Sequence, residues 1–193
     1  MTRVLPLVYP VAVLSLLAVP CRAQNTAIEN QLDEIARVAS VMVDGDVCQR
    51  IVTPRALGFM SKKDPRDQWA DSDNYDVDDA AFNRVKKTLI RLSMLADFPL
   101  DVNLWLPAPG TPARVQIAIR NRNELSQFWV WGKLSQEMFP EMHTVLTTGK
   151  RVTVKQKPGL ISVLAPVRNS LDDIVGLVEV VTRVVPDVRE NVK

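Results

Sequence analysis

Histidine is almost missing from these 193 residues: His143 is the only one, and Cys21 and Cys48 are the only cysteines. That scarcity argues against a usual zinc site, which needs several His or Cys ligands at close spacing. No Gly-Xaa-Ser-Xaa-Gly elbow, phosphate-cradling glycine loop or dinucleotide fingerprint occurs in the chain, so the expectation is a protein that is not an enzyme and holds no cofactor or metal. A surplus of one charge is lacking too. The 24 Lys+Arg face 22 Asp+Glu, which leaves none of the clustered positive charge that nucleic-acid binding draws on. Low-complexity tracts are absent, and 47% apolar with 24% charged residues describes an ordinary globular domain rather than a disordered chain.

One long apolar run is present, and it stands at the N-terminus. Arg3 precedes Val4 through Pro20, and Cys21-Arg22-Ala23 follows, the layout of a secretory signal peptide over residues 1–23. Cleavage after Ala23 puts Cys21 and Ala23 where signal peptidase requires small side chains. The run of about 17 residues falls short of the about 20 that span a bilayer, so a periplasmic or secreted protein is expected, with an uncleaved anchor as the alternative. Losing Arg3 and Arg22 takes the 24 basic residues to 22, equal to the 22 acidic ones, so the mature chain is neutral. Cys48 is then the sole cysteine, which rules out an intrachain disulfide and leaves a buried small hydrophobe or a site of intermolecular pairing.

Residues 24–46 read as a helix with a heptad-like stripe of Ile28, Leu32, Ile35, Ala39 and Met42, stopped by Asp44-Gly45. About two heptads cannot stand alone, so this helix packs on the domain, on a sister chain through Ile28, Leu32 and Ile35, or on a membrane receptor. A short helix over Thr53–Met60 and a charged loop over Ser61–Asp67 follow. The acidic stretch Asp71–Asp79 fails the calcium-loop pattern at Tyr75, at the missing sixth-position Gly and at Phe82, which leaves Asp78 or Asp79 to cap the next helix. That helix, Ala80–Ala96, carries Phe82, Val85, Leu89, Leu92 and Leu95 on one face.

From Asp101 the period becomes two. Val102, Leu104 and Leu106 alternate with Asn103 and Trp105, a Pro-rich turn follows, and Val115, Ile117 and Ile119 alternate with Gln116 and Arg120, which predicts a β-hairpin. Gln127–Trp131 reads as a strand or the start of a helix opened by Asn123, and Pro140–Leu146 as a short helix ended by Gly149. Arg151–Lys155, Leu160–Val167 and Ile174–Val184 are β-branched runs parted by turn residues, and predict a three-stranded antiparallel meander. Gly176, inside the last of them, marks a bulge or a close approach.

The stretch Leu160-Ile-Ser-Val-Leu-Ala-Pro166-Val-Arg168-Asn169-Ser170-Leu-Asp-Asp-Ile-Val-Gly176-Leu-Val-Glu-Val resembles the terminal hairpin of extracytoplasmic PAS-like sensor domains of the single Cache type, and Val145-Leu-Thr-Thr-Gly149-Lys150 is similar to their helix-to-strand junction. The likeness covers about 40 residues; the rest agrees in element order. It implies an α+β domain over residues 47–186, a five-stranded antiparallel PAS/Cache-like sheet covered by helices and enclosing a small organic ligand, followed by a tail, 187–193. The chain departs from the family's usual receptors in carrying no second span and no output domain.

A pocket of this kind needs a few fixed polar groups in an apolar wall. Trp105, Arg120, Trp129 and Trp131 are the candidate ligand-binding residues, with Arg120 suited to a carboxylate by its forked donors. Trp105 and Asn103 share a face of their strand opposite Val102 and Leu104, so both groups are enclosed only if both faces of the sheet are covered. Lys155 and Arg168 are weaker candidates. A Cys48–His143 nucleophilic pair lacks any local signature.

Overall fold

The structure, a computed structural model, describes residues 18–56, 77–108, 110–111, 113–122, 125–130 and 135–184, with side chains from residue 25 onward. Among the described residues, helices α1 (Ala18–Met42), α2 (Gly45–Cys48), α3 (Asp79–Ser93) and α4 (Pro140–Thr148) accompany strands β1 (Leu100–Pro107), β2 (Arg114–Arg120), β3 (Ser135–Glu137), β4 (Val152–Val154), β5 (Leu160–Arg168) and β6 (Ile174–Arg183). The strands form one antiparallel sheet in the order β3-β2-β1-β6-β5-β4. The α+β class and the β4-β5-β6 meander agree with expectation.

The expected five strands become six. The additional one, β3, is three residues long, too short for alternation to betray it, and it is held to β2 by Arg114, whose guanidinium donates to Ser135 Oγ at 3.0 Å and to Ser135 O at 2.7 Å. Conversely, residues 127–130 form neither strand nor helix.

Helix ends obey local chemistry. Asp78 caps α3 by accepting from Ala81 N at 2.8 Å, and Asp44 caps α2 by accepting from Val47 N at 3.1 Å. Pro140 opens α4, and Gly149 closes it at φ 69°, a left-handed position that glycine adopts without penalty. Thr53 Oγ1 accepts from Ala56 N at the helical turn 54–56, the described part of the expected Thr53–Met60 helix. Helix α1 begins at Ala18, upstream of the expected start and through the expected cleavage position. The rest of the expected leader, the charged loop and acidic stretch up to residue 76, Asn123 and the tail lie outside the described residues. Among the described residues no helix is long and apolar enough to cross a membrane.

Both faces of the sheet are covered. On one, Leu32, Ile35, Ala36 and Ala39 of α1 and Val85, Leu89 and Leu92 of α3 close over Val102, Leu104, Ile161, Val163, Val178 and Val180. On the other, Met142 and Val145 of α4 join Trp105, Val115, Ile117, Phe128, Leu164 and Leu177. Leu32 and Ile35 are thus buried inside their own chain and Ile28 packs on the same cluster, which corrects the expectation of a dimer seam through these three. Salt bridges from Asp33 to Arg151 (2.8 Å) and from Glu29 to Lys155 hold α1 to the β4 edge, and Arg151 keeps the Asp33 carboxyl below its ordinary range. Leu95 lies beyond the end of α3 and is exposed, unlike the stripe it was expected to extend.

Two irregularities decide which side chains reach which face and how closely β1 and β6 approach. A register shift pairs Leu104 with Ile119 but Trp105 with Ile117. Ile119 therefore joins the helix-covered face of α1 and α3 while Val115 and Ile117 face α4, correcting the single-face alternation expected for β2. Gly176 marks a close approach: a Cβ there would stand 2.7 Å from Leu106 Cδ2 and 2.9 Å from Trp105 O.

Candidate functional site

The α4-side face of the sheet carries a row of polar groups where an exposed sheet would show them to water. Asp101 and Asn103 of β1, Ser162 of β5 and Glu179 of β6 are all buried there, and Glu179 is wholly enclosed. Sheet pairing sets Asn103 directly across from Glu179. Four donors converge on the Glu179 carboxylate. Oε2 accepts from Ser126 Oγ (2.6 Å), Trp105 Nε1 (3.1 Å) and Asn103 Nδ2 (3.2 Å), and Oε1 accepts from Gln127 N (2.7 Å). Each bond favours the anion, but burial opposes it more strongly and lifts the Glu179 pKa above its ordinary value.

The segment 125–130 lies over this row, and its backbone is satisfied by side chains instead of a ladder. Leu125 N donates to Asp101 Oδ2 (2.9 Å), Gln127 N to Glu179, and Phe128 N and Trp129 N to Ser126 Oγ at 3.1 and 3.0 Å. That is why an apolar run here makes neither strand nor helix. The Gln127 side chain donates to Val154 O and Leu160 O and accepts from Lys157 N, while Lys157 Nζ donates to Ser126 O. Phe128 meets Trp105 edge-on with ring centroids 6.3 Å apart.

At the rim stands the second feature. Arg120, at the end of β2 opposite Asn103, lays its guanidinium 3.7 Å from the ring centroid of Trp129, a cation-π stack. Lys86 Nζ reaches from α3 to the Arg120 carbonyl. Burial lowers the pKa of both Arg120 and Lys86, and the nearby Asp101 carboxylate pulls each back upward. Among the described residues none takes up the N–H donors of the Arg120 guanidinium beside the Trp129 ring.

Of the four expected ligand residues, Arg120 and Trp129 are in contact, and Trp105 lies on the same face but is sealed beneath Phe128 at 1% exposure. Trp131 lies outside the described residues. Lys155 and Arg168 are paired elsewhere, with Glu29 and with Asp172 at 3.2 Å. Cys48 is buried among the α1 and α3 side chains, its thiol pushed up to about 12 by desolvation, while His143 is exposed on α4 across the sheet. The nucleophilic pair is therefore not formed. Among the described residues no cluster of His, Cys, Asp and Glu could hold a metal ion.

Glu179, Ser126 and Gln127 were not foreseen as a site. The available signal is a lone acid in Val178-Glu179-Val180, within the run Ile174–Val181 whose other residues are apolar or glycine. No protein-family model matches this chain, and no curated protein matches its sequence.

Proposed function

We propose that this chain is an exported, non-catalytic, stand-alone sensory module of the single Cache, PAS-like kind, which binds a small organic ligand on the rim where Arg120 stacks on Trp129. The observation that carries the reading is a half-buried guanidinium, preset on an aromatic ring, whose donors no described residue takes up. Forked N–H donors beside a π-face suit a planar carboxylate, and the buried network underneath holds the platform without exposing Trp105. One antiparallel sheet with helices on it and the Ala165-Pro166-Val167 hairpin support the kinship; periplasmic or secreted location rests on the leader.

A thermal-shift screen of organic acids, amines and purines tests it. At least one compound is expected to stabilise, by about 2.7 kcal/mol at a hundredfold excess over its Kd, and Arg120→Ala is expected to abolish that shift. A screen without stabilisers, or one whose stabiliser acts equally on the Arg120→Ala chain, overturns the reading.

A second reading, an interaction protein docking on a membrane partner through its N-terminal helix, is favoured by Val41 and Met42 at the end of α1, 77% and 59% exposed. Binding to a partner that is lost when Val41 is made charged, with no small-molecule stabiliser, would favour it.

A further inference from the structure

Trp129 and Arg120 reach their stack from two separate anchors. Arg120 is fixed by its strand pairing with Asn103 and by Lys86 on its carbonyl. Trp129 belongs to a segment without secondary structure, so something else must set its ring. The hydrogen bonds show what does. Ser126 has one hydroxyl proton, and it goes to Glu179 Oε2 at 2.6 Å; both lone-pair directions are then turned to the chain, where they accept from Phe128 N and Trp129 N. Gln127, between them, is held by Glu179 Oε1 through its backbone N–H and by the β4–β5 turn through its side chain. A carboxylate on the central strand thereby orients a hydroxyl rotor, and the rotor orients the backbone that carries the ring.

We propose that Glu179 is a positioning residue for the ligand-binding rim: acting through Ser126, it holds the Trp129 ring over the Arg120 guanidinium, although it touches neither. This rests on reading that rim as the binding site, but its test uses no ligand, so its failure is distinguishable from failure of the compound screen.

The Arg120 guanidinium carbon lies 3.7 Å from the Trp129 ring centroid, so ring current is expected to move the attached Nε–H resonance upfield in a two-dimensional 15N spectrum of the full chain. In Ser126→Ala that upfield displacement is expected to vanish, in Glu179→Gln to shrink, and in Ser126→Thr, which keeps the hydroxyl, to persist. The methyl resonances of Val102 and Val180 on the opposite face report that the fold is intact. A merely structural role would not separate Ser126→Ala from Ser126→Thr in a folded chain. Retention of the wild-type Arg120 resonance in Ser126→Ala overturns the proposal, as does its equal loss in Ser126→Thr. Should Glu179→Gln fail to fold, the serine pair decides. Should Ser126→Ala also fail, amide exchange in the unmodified chain decides: slow exchange at Phe128 and Trp129 supports the relay, and exchange at free-peptide rates overturns it.

Discussion

Removing the hydroxyl of Ser126 tests the buried network most directly, because a single atom makes three bonds there. In Ser126→Ala, Glu179 loses its shortest donor, at 2.6 Å, while keeping the other three, and Phe128 N and Trp129 N lose their acceptor. A hydrogen bond to a charged group contributes about 1.5–3 kcal/mol, and a buried N–H left without a partner costs about 1–3 kcal/mol. Phe128 is buried and incurs that second cost; Trp129 is half-buried, so water can replace its acceptor. The expected destabilisation is therefore about 2.5–6 kcal/mol, which for a domain of this size lowers Tm by roughly 5–20 °C. Ser40 on α1 serves as the control: its hydroxyl makes one bond, to Arg37 O at 2.7 Å, in an exposed setting, so Ser40→Ala should fall within about 0.5 kcal/mol of the parent. Urea denaturation followed by far-UV circular dichroism measures both. If Ser126→Ala lies within about 1 kcal/mol of the parent chain, the segment 125–130 is not held as described.

Other expectations rest on single features. Gly176→Ala drives a Cβ to within 2.7 Å of Leu106 Cδ2 and 2.9 Å of a backbone oxygen, so it should cost about 1–3 kcal/mol by thermal unfolding; a neutral effect would mean that β1 and β6 separate easily. The Cys48 thiol, buried with its pKa near 12, should resist a water-soluble thiol reagent in the native chain and react fully only in denaturant; rapid native labelling would contradict its place in the core. Glu179 has a pKa raised above its ordinary 4.5, so its contribution to stability is fully present below that value and declines as pH rises through the folded value. Glu179→Gln stays neutral throughout, so its Tm deficit relative to the parent should narrow as pH rises above 4.5; a deficit that widens would show that the four donors outweigh burial.

Much of the architecture was legible because it is local. The stripe Leu32, Ile35, Ala39, the cap at Asp78, the left-handed stop at Gly149 and the β-branched runs of β5 and β6 each depend on residues within a turn or two of one another. Strand β3 escaped notice because three residues carry no period, and the β2 bulge because an extra residue changes face without changing composition. The candidate site was half legible. Arg120 and Trp129 drew attention by residue type, whereas Ser126 and Glu179 look like a loop serine and the solvent side of a strand.

By itself, the chain's order of residues determined the caps at Asp44 and Asp78, the stop at Gly149, the antiparallel β4-β5-β6 meander and the near-balance of charge, since these depend on short-range sterics, capping and composition. Tertiary structure alone decided that the second face of the sheet is covered. Once it is, the alternation that places Glu179 opposite Val178 and Val180 turns a surface acid into a buried one, and desolvation makes its four donors essential. Enclosure belongs to all the surrounding elements together, and no window of neighbouring residues records it.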